Sequence, residues 1–458
     1  MSTPARPLRA ITMFSGGRGG ASIARRLLDI PGLDLSLVIN GYDNGLSTGA
    51  LRRYLPGMLG PSDFRKNLLL HLDRDDPQQA ALMSVLEHRL PAGITPERLG
   101  DLIDEIASSG GHAGRPPSGP LPGEQPGTPP APASGTPSAT PPGPASGTPS
   151  GPLSGTPFDA LRPEAREEIT RDLRLFARRL GAEPYGIDLG DCALGNLVFA
   201  GAYLRTGEDF NAAVRACART FGSPVRLLNV TGGENAFLTA LKRNGRLLTD
   251  EADIVAPQDD EAITDLFLLR RPIDHRLLAE LEALPAARVR EVLARHRADV
   301  TPNPEALDAI RDSDLLVYGP GTPHSSLLPS YLTPGVADAI AASRAVAKVF
   351  VVNTRDDHDI QGLTAPDLVD LTLSYLGDPR NERRTVTHVL CPRPTTPSDG
   401  LPPVVPVPRA VIDGGEWAGA RWVMADLEDP GRPGVHGGRG TVDALMAICG
   451  EAALAGAE

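Results

Sequence analysis

Three stretches of the chain bring together residue types that handle phosphate. The first is SGGRGG, Ser15–Gly20, where Gly16, Gly17, Gly19 and Gly20 surround Arg18 between an apolar run and an amphipathic segment. Glycines at a strand-to-helix junction let backbone N–H groups and the positive helix terminus close on an anion. They also serve as a plain connecting turn, so this stretch alone leaves both readings open. The second is INGYDNGLSTGALRRYL, Ile39–Leu55: Asp43 and Asn44 present oxygen at a strand end, Ser47, Thr48 and Gly49 open a helix, and Arg52 and Arg53 follow one turn in. Such oxygens suit Mg²⁺ with substrate phosphates, and equally an Asx turn with an ordinary cap. Shortly after it, GPSDFRKN (Gly60–Asn67) sets Asp63 beside Arg65 and Lys66, as part of a site or as a local salt bridge. The third is YGPGTPHSSLLPS, Tyr318–Ser330, where Gly319 and Gly321 allow close backbone approach and Thr322, Ser325 and Ser326 supply hydroxyls. His324 in that loop reads as an acid, a base or a polar loop side chain.

Each stretch follows a short apolar run. AITMF, LSLVI, DLLVYG and KVFVVN close on Gly or Asn or run into a glycine loop, and the segments between them have helical spacing, as in Phe210–Phe221 and Val336–Ala345. This alternation predicts an α/β, Rossmann-like three-layer fold with a mostly parallel sheet. From Ser108 to Pro157 the chain turns to repeats such as SGTPS with almost no large apolar side chain, which predicts a disordered insert. Residues 1–107 and 158–380 then form one interrupted nucleotide-binding domain. Residues 381–458 form a C-terminal extension packed on it, with RWVMADL and TVDALMAICG as a last strand and helix.

With 458 residues and 41% hydrophobic content the chain can bury a large core. A net charge of −12 repels a nucleic-acid backbone and favours small-molecule chemistry. No run approaches the roughly 20 apolar residues that cross a bilayer. The N-terminal segment carries no apolar signal region, so a cytoplasmic protein is expected. Cys192, Cys217, Cys391 and Cys449 form no CxxC pair and read as reduced thiols.

Taken in order, the motifs resemble the family that unites 2-phospho-L-lactate transferase with the bacterial gluconeogenesis factor, a nucleotide-sugar-binding regulator. Where members carry GGGTG, ADDGGSSGRLR, GDIRN, GHSxGNL, GPGSLYTS and a strand ending in Asn, this chain has SGGRGG, YDNGLSTGALR, SDFRK, DCALGNL, GPGTPHSS and VVN. It departs from the pattern at Arg18, Asn44, Leu46, Ala50 and Lys66, which exchange one carboxylate for extra cationic charge.

The resemblance implies a site in which Asp63, Arg65 and Asp43 are catalytic. It implies that Gly16, Gly17, Arg18, Gly19, Asn44, Ser47, Thr48, Lys66, Asn196, Gly319, Gly321, Thr322, Ser325, Ser326 and Asn353 bind nucleotide or phosphate, with Mg²⁺ on Asp43 and Asp63. The transferase branch is the first reading, with the regulator branch as the alternative: an acceptor hydroxyl attacks the phosphorus distal to the nucleoside, a phospho-acid group moves onto it, and nucleoside monophosphate leaves. On the regulator branch, the same loops bind a nucleotide sugar without turnover, a reading favoured by the tail Arg421–Ile448. The implied ligand is a guanosine or uridine diphosphate derivative, with a homodimer as candidate assembly and neither nucleic acid nor membrane as partner. A dehydrogenase-like dinucleotide fold would need the full GxGxxG spacing, which is missing.

Overall fold

The computed structural model describes residues 8–109, 158–182, 187–257, 259, 261–356, 359–360, 362–393, 405–408 and 416–455. The expected disordered insert therefore lies, from residue 110 onward, outside the described residues.

The apolar runs become strands: β1 (Ala10–Phe14), β2 (Asp34–Ile39), β3 (Arg226–Asn229), β4 (Phe237–Lys242), β5 (Leu247–Leu248), β6 (Ile263–Leu269), β7 (Leu315–Tyr318) and β8 (Ala347–Val351). After them come β9 (His388–Pro392), β10 (Glu416–Trp417), β11 (Ala420–Ala425), β12 (Glu428–Asp429) and β13 (Arg432–His436). Eight strands make the main sheet, in the order β10-β11-β9-β8-β7-β1-β2-β3. Neighbours pair in parallel except the edge pair β10–β11. Every residue of β7 and β8 is buried, the mark of strands covered on both faces, which is why they read as unbroken apolar runs rather than alternating ones. The expected α/β fold with a mostly parallel sheet is what forms.

The first crossover helix, α1 (Ala21–Leu28), buries Ile23, Ala24 and Leu27 on one stripe and packs against the helix Gly438–Ala455. Burying side chains such as Ile23 and Leu27 contributes roughly 1.5–3 kcal/mol each. After β2 come α2 (Leu46–Tyr54) and α3 (Ser62–Leu68). The helix expected over Val336–Ala345 stops at Ala341. Beyond it the Ser343 hydroxyl donates to the Ile310 carbonyl and accepts from the Ala345 N–H, so local side-chain bonds replace the helical ladder.

Two features had no counterpart in the sequence reading. Strands β4, β5 and β6 form a separate antiparallel sheet with a small core that includes Leu241, Phe267, Leu269 and Leu281. Strands β12 and β13 pair as a hairpin just before the helix Gly438–Ala455. All four cysteines are buried and free. Among the described residues, no helix is long and apolar enough to cross a membrane.

Candidate functional site

From β1 the chain steps to β2 and then β3 on one side, while β7 enters on the other side of β1 and leads outward to β8 and β9. The strand order therefore reverses between β1 and β7, and a crevice opens beyond the carboxyl ends of strands at such a switch point. The two glycine loops meet across it. A Cβ on Gly19 would stand 2.5 Å from the Pro320 carbonyl oxygen and 2.7 Å from Gly321 Cα, and one on Gly16 would stand 2.5 Å from Ser326 Cβ. Gly319 is pressed against the end of β1, its N–H donating to the Phe14 carbonyl at 3.1 Å.

Several bonds fix this loop pair. Asn353, just past β8, donates from Nδ2 to the Gly321 carbonyl (2.8 Å) and accepts from the Gly321 N–H (3.2 Å). Asn40 donates to the Ser326 carbonyl, and Asn67 to the Gly16 carbonyl at 2.9 Å. The Ser325 hydroxyl donates to Thr322 Oγ1 at 2.8 Å, and Thr322 and Ser326 share a bond at 2.9 Å. Helix α1 starts beside them: the Ala21 N–H turns back onto the Arg18 carbonyl at 3.1 Å, and with no side-chain cap and no acidic residue in the first turn the next amides stay available to an anion.

A cavity of about 1070 Å³ occupies the crevice. Of the residues singled out in the sequence, Gly17, Arg18, Gly19, Asp43, Asp63, Lys66, Gly321, Thr322, Ser326 and Asn353 line it. Gly16, Asn44, Ser47, Thr48, Arg65, Asn196, Gly319 and Ser325 do not. Arg65, expected among the catalytic groups, turns its guanidinium inward: Nε donates to Asn196 Oδ1 at 2.9 Å and Nη1 to the Leu86 carbonyl at 3.0 Å. Asn196 in turn donates to the Ser62 hydroxyl, which bonds Thr48. Thr48, Ser62, Asn196 and Arg65 thus form a polar network behind the wall that sets α3 against the helix Leu194–Arg205. Burial pushes the Arg65 pKa down to about 10.

The carboxylates cluster at one end. Asp63 is held by Lys66 through a 2.8 Å ion pair, yet burial outweighs that pair and raises its pKa. Asp43 caps its own turn by accepting the Gly45 N–H at 2.9 Å. The sequence reading missed Glu251, which lines the same cavity from the helix Glu251–Val255 and accepts the Asn44 N–H. Burial first, then Asp43 and Asp63, raises its pKa to about 8. Behind this cluster Arg52 is fully enclosed and donates to the carbonyls of Tyr42 (2.9 Å), Asp43 (3.1 Å) and Ala236, so it clamps the Asp43 turn to the start of β4. Among the described residues, no three His, Cys, Asp or Glu side chains are disposed to hold a metal ion. Lys66 already occupies Asp63 Oδ1. Asp43 and Asp63 therefore make no protein cage for Mg²⁺, which would draw most of its shell from substrate oxygens and water.

The opposite wall comes from the β12–β13 hairpin, also missed in the sequence. Arg355 binds Glu428 through two bonds, Nε–Oε1 at 2.6 Å and Nη2–Oε2 at 3.0 Å, and Thr354 donates to the Gly434 carbonyl. Ser22 of α1 donates to the His436 carbonyl at 2.5 Å. His436 lines the cavity with 6% of its surface exposed, and burial lowers its pKa to about 4. In total six cationic side chains (Arg18, Arg25, Lys66, Arg74, Arg355, Arg432) and five acidic ones (Asp43, Asp63, Glu87, Glu251, Asp356) line the cavity, in a chain whose net charge is −12.

The model of the family described as 2-phospho-L-lactate transferase CofD matches residues 11–402. The chain belongs to the CofD family. Similar CofD relatives include gluconeogenesis factors: that of Halalkalibacterium halodurans is 29% identical over 199 residues, 42% of this chain and 50% of that protein. That of Bacillus subtilis is 28% identical over 174 residues, 37% and 43% of the two chains. The putative factor of Thermotoga maritima is 30% identical over 161 residues, 35% and 41%. The chain spans about half the length of the curated relatives it matches, or less. A crystal structure of a UPF0052 family protein from Bacillus halodurans shares the fold, with a TM-score of 0.59 at 18% identity over 96% of this chain and 99% of that one.

Proposed function

We propose that this CofD-family protein binds a nucleoside-diphosphate-linked small molecule in the switch-point cavity, with the diphosphate on the two glycine loops and the start of α1. One observation carries this reading: two glycine loops pack against each other at the strand-order reversal and open on a cavity lined by Arg18, which is exposed on one of them. Backbone amides and Arg18 supply the anion site, and the Lys66–Asp63 pair adds a fixed dipole at its edge. The binding function is of the gluconeogenesis factor type, supported by the named relatives and by Arg65 serving the interior rather than the ligand.

A second reading, transfer of a phospho-acid group to an acceptor hydroxyl with release of nucleoside monophosphate, is favoured by two carboxyl groups at the cavity, Asp63, whose pKa burial raises, and Glu251, whose pKa of about 8 suits proton transfer near neutrality.

Titration calorimetry with uridine and guanosine diphosphates tests the binding, with binding of at least one expected; no binding by the folded protein overturns it. Monophosphate release from uridine- and guanosine-linked donors, with candidate acceptors and with or without Mg²⁺, separates the two readings. Binding without release supports the regulator, and acceptor-dependent release the transferase.

A further inference from the structure

Among the described residues that line the cavity, His436 is the one whose buried side-chain nitrogens have no hydrogen-bond partner: Nδ1 and Nε2 are both unpaired. Buried polar atoms in folded proteins are almost always bonded, so an unpaired ring at a cavity wall needs a reason. A phenylalanine or leucine there would pack without desolvating two nitrogens. The ring is also held in place. The His436 carbonyl accepts from Ser22, the second residue of α1, so the residue is anchored next to the helix terminus that takes the phosphates.

The surrounding wall narrows the chemistry. Arg355 is paired with Glu428 through two bonds, and Arg432 with Asp429 at 2.9 Å, so the cations on this side are neutralised within the protein. On the facing loop Arg18 is exposed and has no ion-pair partner among the described residues. One side of the cavity thus suits charge, and the other an uncharged group. A neutral imidazole offers one N–H donor and one lone-pair acceptor. A phosphate oxygen only accepts, whereas a hydroxyl both donates and accepts and so satisfies either ring nitrogen.

We propose that His436 is a ligand-binding residue that hydrogen-bonds a hydroxyl of the sugar adjoining the phosphates of the bound nucleotide. This rests on the nucleotide-binding reading above and adds to it which wall receives the sugar.

The test is calorimetric titration of the full chain and of His436→Phe, His436→Leu and His436→Gln with uridine diphosphate, guanosine diphosphate and inorganic pyrophosphate, alongside their melting temperatures. The apolar variants are expected to bind the nucleotide roughly tenfold or more weakly, the effect of one lost buried hydrogen bond. Their affinity for pyrophosphate, which has no sugar, stays within about threefold of wild type. Glutamine keeps a donor and an acceptor and stays close to wild type. The apolar variants melt at or above the wild-type temperature, because the unpaired nitrogens are gone. Wild-type nucleotide affinity in a folded apolar variant overturns the assignment, as does equal loss of nucleotide and pyrophosphate, which marks a deformed site. If the wild type binds pyrophosphate but neither nucleotide, the nucleotide reading fails and this assignment falls with it. Nucleotide binding that the apolar variants retain defeats the His436 assignment alone.

Discussion

Glu251 is a carboxylic acid in a place where a carboxylate is costly. It is half-buried in the cavity wall near Asp43 and Asp63, with Lys66 as the cation that partly offsets them. Its pKa rises from an ordinary 4.5 to about 8, so the folded state holds a proton that the unfolded chain gives up. The stabilisation is fully present below the unfolded value, is lost as pH rises from about 4.5 to about 8, and then levels off. Glu251→Gln removes this titration. The variant should match wild type in melting temperature near pH 5 and exceed it at pH 8, so that its melting temperature falls less steeply between them. Identical slopes in a thermal denaturation series would show that Glu251 ionises freely. The resemblance places Arg65 with Asp63 among the catalytic groups, but helical geometry points residues two apart along a helix in different directions. Asp63 faces the cavity while Arg65 faces Asn196.

At the scale of elements, what could be read in the sequence is what is local. β1 forms over the five residues AITMF as expected, and both glycine loops follow their strands because strand, turn and helix signals lie within a few residues of one another. The cavity partners that went unread arrive from far along the chain. Glu251 follows β5, whose hairpin with β4 turns at Asn244–Gly245, a pair suited to the positive φ of +89° found at Gly245. Asn-Gly between two apolar runs is a hairpin signal that the sequence alone carries. His436 and Arg355 meet the loops only through tertiary pairing, Ser22 to His436 and Arg355 to Glu428, and no local spacing announces such bonds. The loop pair itself is the element most open to test. Gly19 has no space for a side chain because the Pro320 carbonyl and Gly321 backbone lie where Cβ would go. Backbone on both sides cannot swing away as a flexible side chain would. Gly19→Ala should therefore part the two loops and weaken nucleotide binding by roughly tenfold or more, with a stability loss of about 1–3 kcal/mol typical of overpacking. Calorimetry and urea denaturation check the two quantities, and an alanine variant with wild-type affinity would remove the loop contact from the binding argument.

At the scale of the whole molecule, the chain is interrupted between two segments that belong together. The helix Pro96–Ser108 packs on the helix Pro163–Ala182, and Arg174 pairs with Asp104 across them at 3.1 Å. Ser109 is buried at one end of the interruption and Phe158 at the other, its ring 6.4 Å from that of His88. Residues 110–157, which lie outside the described structure, contain only Leu121 and Leu153 as large apolar side chains. A segment of that composition has little to bury, and its main thermodynamic effect is the entropy of closing a long loop. Closure cost grows by about 0.6 kcal/mol per doubling of length, so replacing residues 110–157 with about eight Gly and Ser residues should stabilise the fold by roughly 1.5 kcal/mol. For a domain of this size that is an upward shift of a few degrees in melting temperature. Nucleotide affinity should not change, since every cavity residue lies outside the excised stretch. Differential scanning calorimetry and titration of the shortened chain measure both. A fall of many degrees, or loss of soluble protein, would show that residues 110–157 pack on the domain after all.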